Sequence, residues 1–241
     1  MSKYIFHKED SRHHEFNEWL DSKKTFSFAD YYNPKRMSFG ALRVFNDDTV
    51  RAAKGFGRHP HDNMEIISIP LEGSLIHKDN LGNEKVVKEG EIQLMSTGSG
   101  VFHSEYNHEQ DKATRFLQIW IYPAQLNSAP AYSQVQLNEA DIQHKFGTIV
   151  APEAGAHTAR IQQDAWLSIG RFDAGETFSY DIRKKENGAY VYLISGNVEI
   201  DGHSLSAGDA LGIRDASSFN GTVKSQHAEI LVTDVPMNLE N

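Results

Sequence analysis

Two short pairs of polar residues have the types and spacing of metal ligands. His59 and His61 lie two positions apart, and His103 and Glu105 repeat that spacing forty-two residues later. In a β-strand, residues i and i+2 point to the same face. Two such pairs on neighbouring strands would bring three imidazoles and one carboxylate together. These ligands suit iron, copper, nickel, zinc or manganese and leave positions open for water or substrate.

A different interpretation of these residues is that each one only makes a hydrogen bond. A lone histidine in a strand usually does no more than that, and the chain has 12 histidines. Four polar side chains facing into one barrel are a different case, because each costs about 1–3 kcal/mol when it is buried without a partner. One shared cation removes that cost. The pattern therefore favours a metal site.

The segments around these pairs have the pattern of short β-strands. Apolar residues alternate with polar ones and are interrupted by glycine-bearing turns about 8 to 12 residues apart, as in a sandwich or barrel. Strands are predicted at Met64–Leu71, Ser74–His77, from Val86, Ile92–Met95 and Arg115–Tyr122. Helical patterns are few and short, at Glu15–Leu20 and Glu139–His144.

The second half of the chain repeats the plan of the first. Leu71–Leu75 corresponds to Ile194–Val198, and Gly90 corresponds to Gly208. Such a repeat predicts two related barrels, with chance similarity between two glycine-rich hairpins as the alternative. We expect an N-terminal barrel at residues 1–124, a connection at 125–164 and a C-terminal barrel at 165–241.

Composition excludes several kinds of function. The 241 residues include no cysteine, which rules out disulfides, thiolate ligands and cysteine nucleophiles. The formal charge of −9 disfavours direct contact with nucleic acid or anionic lipid. No apolar segment approaches the roughly 20 residues of a spanning helix, and the polar first thirty residues do not resemble a signal peptide. We therefore expect a soluble, cytoplasmic protein, and a monomer because the two barrels can pair with each other.

Two longer motifs contain the proposed ligands. Gly55–Glu65 and Gly90–Asn107 resemble the first and second motifs of the cupin superfamily in the form found in the pirin family. Thr25–Tyr32 and Phe116–Trp120 are similar to the same family, and the resemblance extends over nearly all of residues 10–125 and more loosely over the rest. It points to bacterial pirin-like proteins, some of which act as quercetin 2,3-dioxygenases. The resemblance implies an all-β bicupin, with two stacked antiparallel β-barrels of the jelly-roll type and few short helices.

The resemblance also implies a ligand set. The family's ligands fall on His59, His61, His103 and Glu105. Many other cupins use the glutamate four residues after the second histidine, here Glu65, which is even-spaced from His61 and could also face the cavity. The pirin pattern selects Glu105 instead. The implied cofactor is one divalent transition-metal ion, with iron as the first choice and copper, nickel, manganese or zinc as alternatives.

The second barrel has no such ligands at the matching places. Counted from the corresponding glycines, these places hold Ile182, Lys184, Gly221 and Val223. The C-terminal barrel is therefore expected to be a degenerate copy without metal that packs against the first barrel or covers it.

Two classes of function follow from the resemblance. The first is a metal-dependent dioxygenase that cleaves flavonols such as quercetin, in which the histidines hold the metal and Glu105 is both a ligand and the general base. The second is a non-catalytic, redox-sensing regulator whose metal state affects the binding of a protein partner. A roomy apolar pocket with an open coordination position favours the enzyme. A closed site under an exposed apolar patch favours the regulator. A purely structural metal is disfavoured, because metal staples mostly serve smaller domains.

Overall fold

β-Strands make up almost all of the regular structure in the computed structural model, which describes residues 3–239. The strands before the single α-helix are β1 (Lys3–His7), β2 (His13–Phe16), β3 (Leu20–Lys24), β4 (Leu42–Val50), β5 (Gly55–His61), β6 (Glu65–Glu72), β7 (Ser74–Asp79), β8 (Glu84–Lys88), β9 (Glu91–Ser96), β10 (Val101–Asn107), β11 (Thr114–Ile121) and β12 (Ala131–Gln136). A short 3₁₀ helix, Glu9–Ser11, lies between β1 and β2. Within the described part of the chain, no helix is long and apolar enough to cross a membrane.

The remaining elements follow the same style. They are α1 (Glu139–Ile142), β13 (Phe146–Ala151), β14 (Ala159–Arg160), β15 (Trp166–Asp173), β16 (Thr177–Asp181), β17 (Asn187–Ser195), β18 (Asn197–Ile200), β19 (His203–Ser206), β20 (Ala210–Arg214), β21 (Ser218–Val223) and β22 (His227–Pro236). The strands predicted from the sequence around residues 64–122 occur within two residues of their expected ends.

Two sandwiches share one strand order. The N-terminal sandwich consists of a large sheet, β12-β9-β6-β11-β4-β3-β2, and a small sheet, β5-β10-β7-β8. The C-terminal sandwich consists of β1-β20-β17-β22-β15-β13-β14 and β16-β21-β18-β19. All pairs between these strands are antiparallel except β13 with β14. The predicted repeat is therefore present in the backbone, and the fold is an all-β bicupin of the jelly-roll type.

Strands outside the two repeated segments extend the large sheets. β1 pairs with β20, so the first strand of the chain belongs to the C-terminal sandwich. Within the segment predicted as a connection, β12 pairs with β9 of the first sandwich and β13 pairs with β15 of the second. Residues 125–164 thus contribute strands to both sandwiches, while the bounds of independent folding units stay a prediction.

One apolar cluster joins the two large sheets. Phe45 of β4 packs against Tyr190 and Tyr192 of β17, with ring centroids 5.5 and 4.9 Å apart. The Tyr192 hydroxyl also donates to Asp47 Oδ2 at 2.5 Å. Burying a large apolar side chain contributes about 1.5–3 kcal/mol, so this shared core holds the two sandwiches together.

The helix expected at Glu15–Leu20 is wrong. These residues belong to the hairpin of β2 and β3, where Asn17 Oδ1 accepts hydrogen bonds from the backbone N–H groups of Trp19 and Leu20 at 3.0 and 2.9 Å. An asparagine side chain that caps its own backbone in this way stabilises a turn rather than a helix. The other expected helix is present as α1, capped by the Asn138 side chain.

Candidate metal centre

β5 and β10 bring three predicted ligands onto one inner face. The strands are antiparallel neighbours, and His103 lies directly opposite His59. His61 follows His59 by two positions, so its ring shares that face. Ring centroids are 4.5 Å apart for His59 and His103, 4.6 Å for His59 and His61, and 4.8 Å for His61 and His103. The close approach of the two strands needs Gly55, where a Cβ would lie 2.3 Å from the Glu105 carbonyl oxygen.

The ring nitrogens have the spacing of metal ligands. His59 Nδ1 lies 2.6 Å from the Gly57 carbonyl oxygen and must donate to it, which leaves the lone pair on Nε2. This Nε2 is 3.1 Å from His103 Nε2. Two nitrogens bound to one ion at about 2.1 Å and about 90° are separated by about 3.0 Å. His61 Nε2 is buried and has no hydrogen-bond partner among the described residues. The three imidazoles therefore fit one metal ion.

Burial keeps two of these imidazoles neutral. Burial, together with the neighbouring His103 and His59, lowers the pKa of His61 to about 3. Burial likewise lowers the pKa of His103 to about 3, with added repulsion from His59 and His77. Neutral imidazole is the form that binds metal, so both rings are ready to act as ligands at neutral pH.

Glu105 lines the same cavity but has other partners. It is 2% exposed, and its Oε1 and Oε2 accept hydrogen bonds from Ser68 Oγ at 2.9 Å and Gln118 Nε2 at 2.8 Å. A carboxylate oxygen that accepts one hydrogen bond keeps a second lone pair. Its ligand atom lies within 4.8 Å of those of His77 and His103. The place of Glu105 as the fourth ligand stays a prediction.

Glu65, the alternative carboxylate, is engaged elsewhere. Its Oε2 accepts from Ser96 Oγ at 2.7 Å and from the Gln162 backbone N–H at 3.1 Å. Ser96 therefore binds this buried carboxylate. Glu65 does not line the cavity of the three histidines.

The cavity beside the histidines is small and has two kinds of wall. Its volume is about 40 Å³. Beyond the histidines and Glu105, the apolar wall contains Phe28, Phe56, Ile66 and Trp120, and the polar wall contains Asn46, Asp48 and Gln118. Asn46 Oδ1 and Asp48 Oδ1 are buried without a hydrogen-bond partner in the described part of the chain. Burial raises the pKa of Asp48 to about 7, although a hydrogen bond from Ser22 opposes the shift.

His77 is the principal site residue that sequence analysis missed. The strand predicted from the sequence ended at His77, and this residue was not among the predicted site residues. The strand instead continues to Asp79, and His77 is 0% exposed and 3.4 Å from His103 between their Nδ1 atoms. The alternation of Leu75, His77 and Asp79 was the available signal, because these three residues share one face of the strand.

The positions in the C-terminal sandwich that correspond to His59 and His61 differ from those predicted. Strand register places Phe178 opposite Gly221 and Tyr180 opposite Phe219, as His59 and His61 lie opposite His103 and Val101. The counterparts of His59 and His61 are therefore Phe178 and Tyr180, rather than Ile182 and Lys184. The connection between β16 and β17 is longer than that between β5 and β6, so counting back from the matched glycine gave the wrong positions.

Comparison with known sequences identifies both halves. The Pirin family profile matches residues 6–121, and the profile of the quercetinase C-terminal cupin domain matches residues 148–235. A quercetin 2,3-dioxygenase from Escherichia coli (strain K12) is 38% identical over 229 residues, which cover 95% of this chain and 97% of that protein. A pirin-like protein from Caulobacter vibrioides is 40% identical over 217 residues, or 90% of this chain and 92% of that protein.

Solved structures agree with these matches. The crystal structure of YhhW from Escherichia coli has a TM-score of 0.92 and 36% identity, covering 99% of this chain and 100% of that one. The structure of bacterial pirin YhhW in complex with nickel(II) has a TM-score of 0.91 and 37% identity, covering 97% and 99%. The resemblance inferred from the motifs is thereby confirmed: the chain belongs to the pirin family.

Proposed function

We propose that this protein is a metal-dependent dioxygenase that cleaves flavonols such as quercetin. The observation that carries the proposal is the convergence of three imidazoles, with Nε2 atoms of His59 and His103 3.1 Å apart, beside a cavity with aromatic walls. The quercetin 2,3-dioxygenase name of a relative that matches nearly the whole chain supports the same assignment.

His59, His61 and His103 would hold the ion, with Glu105 as the fourth ligand. Imidazole and carboxylate bind most first-row divalent ions, and iron is our first choice, before copper, nickel, manganese and zinc. When bound, the ion supplies a Lewis acid for the flavonol oxygens and a centre for dioxygen activation.

Glu105 would act as the general base. Ser68 and Gln118 hold its carboxylate at the edge of the cavity, with a free lone pair on each oxygen. From this position it would take the proton of the flavonol 3-hydroxyl. Dioxygen would then add one atom to each of the two ring carbons that flank the hydroxyl-bearing carbon, one of which is the carbonyl carbon. The hydroxyl-bearing carbon would leave with its own oxygen as carbon monoxide when the ring opens. The apolar wall excludes water from the anion formed by proton transfer.

A flavonol requires the cavity to open. Drug-sized ligands occupy pockets of about 300–1,000 Å³, whereas this cavity has about 40 Å³. Phe28 is the wall residue outside the named strands, and its ring stands edge-on to Trp120 with centroids 5.1 Å apart. Displacement of Phe28 would lengthen the cavity without disturbing the strands that carry the histidines.

The small cavity also favours the second candidate, a redox-sensing regulator. A closed metal site does not admit a substrate, but it can couple the state of the ion to the surface around it. In that case the partner is a protein. For either candidate, we propose a cytoplasmic monomer that contacts neither membrane nor nucleic acid directly.

Quercetin turnover separates the two candidates. The wild type, His103→Ala and the control His108→Ala are each loaded with iron, copper, nickel and manganese, and quercetin loss and carbon monoxide release are measured at constant dioxygen. His108 is an exposed histidine of the same sandwich, so its variant controls for loss of a histidine outside the site. We expect turnover in the wild type and His108→Ala and none in His103→Ala. Absence of turnover in a folded, metal-loaded wild type rejects flavonol cleavage and leaves the regulator.

A further inference from the structure

A series of three buried, hydrogen-bonded side chains leads from His103 through His77 to Asp79, away from the proposed metal. His103 Nδ1 lies 3.4 Å from His77 Nδ1, and His77 Nε2 lies 3.0 Å from Asp79 Oδ2. The side chains of His77 and Asp79 are both 0% exposed. β7 and β10 are paired neighbours, with His103 opposite Asp79, so the sheet itself aligns the series.

The hydrogen bond between His77 and Asp79 can have only one donor. A carboxylate only accepts hydrogen bonds, so His77 Nε2 carries the proton that lies between them. The other partners of Asp79 hold it in place: its Oδ1 accepts from the backbone N–H groups of Leu81 and Asn83 at 2.9 and 3.0 Å, and its Oδ2 accepts from Asn83 Nδ2 at 2.8 Å.

The donor at this end determines which nitrogen carries the proton in both imidazole rings. With its proton on Nε2, a neutral His77 has a lone pair on Nδ1. The Gln93 side-chain amide, 3.3 Å away, also donates toward this nitrogen. His103 must then carry its own proton on Nδ1 and donate it to His77. The lone pair of His103 is consequently on Nε2, the atom that lies 3.1 Å from His59 Nε2.

We propose that His77 and Asp79 are positioning residues that hold His103 in its Nδ1–H tautomer and so keep Nε2 available for the metal. This proposal rests on the metal site of the proposed function, but not on flavonol as the substrate. Histidine ligands generally donate their second ring N–H to a fixed acceptor, and loss of that acceptor weakens metal binding 10- to 100-fold. Here the acceptor is a second histidine, which is itself oriented by a carboxylate.

The sharpest variant is Asp79→Asn, because it is nearly isosteric and reverses the direction of the hydrogen bonds in the series. The asparagine oxygen still accepts from the Leu81 and Asn83 backbone N–H groups, so its amide NH₂ faces His77 Nε2. The Asn83 side-chain amide, which donates to the same position in the wild type, turns over and accepts from this NH₂. His77 then moves its proton to Nδ1 and donates to His103, whose own proton moves to Nε2. An N–H now occupies the position that the metal needs. Glu84→Gln is the matched control, since Glu84 is a largely exposed carboxylate of the same hairpin.

Long-range ¹H–¹⁵N correlation spectra of the metal-free proteins report each histidine tautomer directly. We expect His103 as Nδ1–H and His77 as Nε2–H in the wild type and in Glu84→Gln, and both tautomers reversed in Asp79→Asn. Nickel(II) titration of the same samples should show a 10- to 100-fold weaker Kd for Asp79→Asn alone. A loss of packing without the tautomer role would not switch the nitrogen shifts of a folded protein.

The wild-type spectrum tests the proposal even if Asp79→Asn does not fold. A wild-type His103 protonated on Nε2, or a His77 protonated on both nitrogens, overturns it. So does a folded Asp79→Asn with unchanged tautomers or an unchanged nickel Kd. An ion bound between His77, His103 and Glu105 would also overturn it, because His103 Nδ1 would then be a ligand rather than a donor. Since these measurements involve no turnover, failure of flavonol cleavage leaves their outcome unaffected.

Discussion

The two sandwiches have the same strand order, but the interior of one is apolar throughout and the interior of the other contains a polar site. In the C-terminal sandwich one continuous apolar cluster extends from Phe172 to Val232. In the N-terminal sandwich the corresponding interior is divided into two small apolar clusters, built around Phe116 and around Ile66. The three imidazoles, Glu105 and the small cavity accompany the divided interior. The same backbone therefore supports either a packed core or a polar site, and a few inward side chains decide which.

Equivalent positions show how the difference arises. Phe178 takes the place of His59, and Gly221 takes the place of His103. A Cβ at Gly221 would lie 2.3 Å from Phe178 Cζ, so the missing side chain makes room for the aromatic ring. Tyr180 takes the place of His61 and stacks on Phe219. The C-terminal sandwich thus gains stability from aromatic packing at these positions. The N-terminal sandwich instead has imidazole nitrogens whose lone pairs are available to an ion.

The largest effect is expected from Phe178→Ala in the packed half. Phe178 is 6% exposed and lies against Phe172 and Phe146, with ring centroids 5.0 and 5.8 Å away. Truncation of a buried phenylalanine costs about 3–5 kcal/mol, which urea unfolding of the metal-free protein should show. The nickel Kd of the folded variant should stay within about twofold, because the site is in the other sandwich. A large fall in nickel affinity would mean that the two interiors are coupled.

The converse change is His61→Leu in the polar half. His61 Nε2 is buried without a partner in the described residues, and an unsatisfied buried group costs about 1–3 kcal/mol. We therefore expect the metal-free variant to be as stable as the wild type or about 1 kcal/mol more stable. Its nickel affinity should fall by more than about 100-fold, since loss of a direct ligand exceeds the loss of a supporting residue. His108→Leu should change neither quantity. A metal-free His61→Leu that is strongly destabilised would contradict the contrast between the halves.

A smaller effect concerns pH and the polar wall of the cavity. Burial raises the pKa of Asp48 from 3.8 to about 7, so between about pH 4 and 7 the native state keeps a proton that the unfolded state has lost. The stability contributed by this group is present below pH 4 and is lost as pH rises toward 7, at up to about 1.4 kcal/mol per pH unit. The free energy of unfolding of Asp48→Asn relative to the wild type should therefore rise by about 2 kcal/mol between pH 5 and pH 7. Urea midpoints at several pH values measure this gain, and the exposed Asp30→Asn serves as the control. Parallel pH profiles for the wild type and Asp48→Asn would show that Asp48 is not protonated in the native state.

Local patterns in the sequence were sufficient for part of this structure. The i, i+2 spacing placed His59 and His61 on one face of a strand, because strand geometry alone fixes that relation. His103 joins them only because β10 pairs with β5, which the sequence analysis assumed. The hairpins around Gly73 and Gly90 and the repeat of the two halves were readable for the same reason. The apolar spacing of Glu15–Leu20 was misleading, because it resembled a helix. The Asn17 side chain instead stabilises a turn within this segment.

The alternation of Leu75, His77 and Asp79 shows which residues share a face of the strand, but it does not show which strand lies beside that face. His77 and Asp79 matter because β7 pairs with β10, and Asn46 and Asp48 reach the cavity because β4 belongs to the opposite sheet. The counterparts of His59 and His61 in the second half were assigned wrongly because a connection of different length precedes the matched glycine. In each case the deciding contact joins residues that are far apart in the chain.

The central claim is that one ion binds to three imidazoles of the N-terminal sandwich and that the C-terminal sandwich binds none. Anomalous diffraction from crystals grown with nickel(II) tests it most directly. We predict one peak per chain, about 2.1 Å from Nε2 of His59, His61 and His103. A peak bonded to His77 and Glu105 with His59 and His61 left free, or a peak inside the C-terminal sandwich, would contradict the claim.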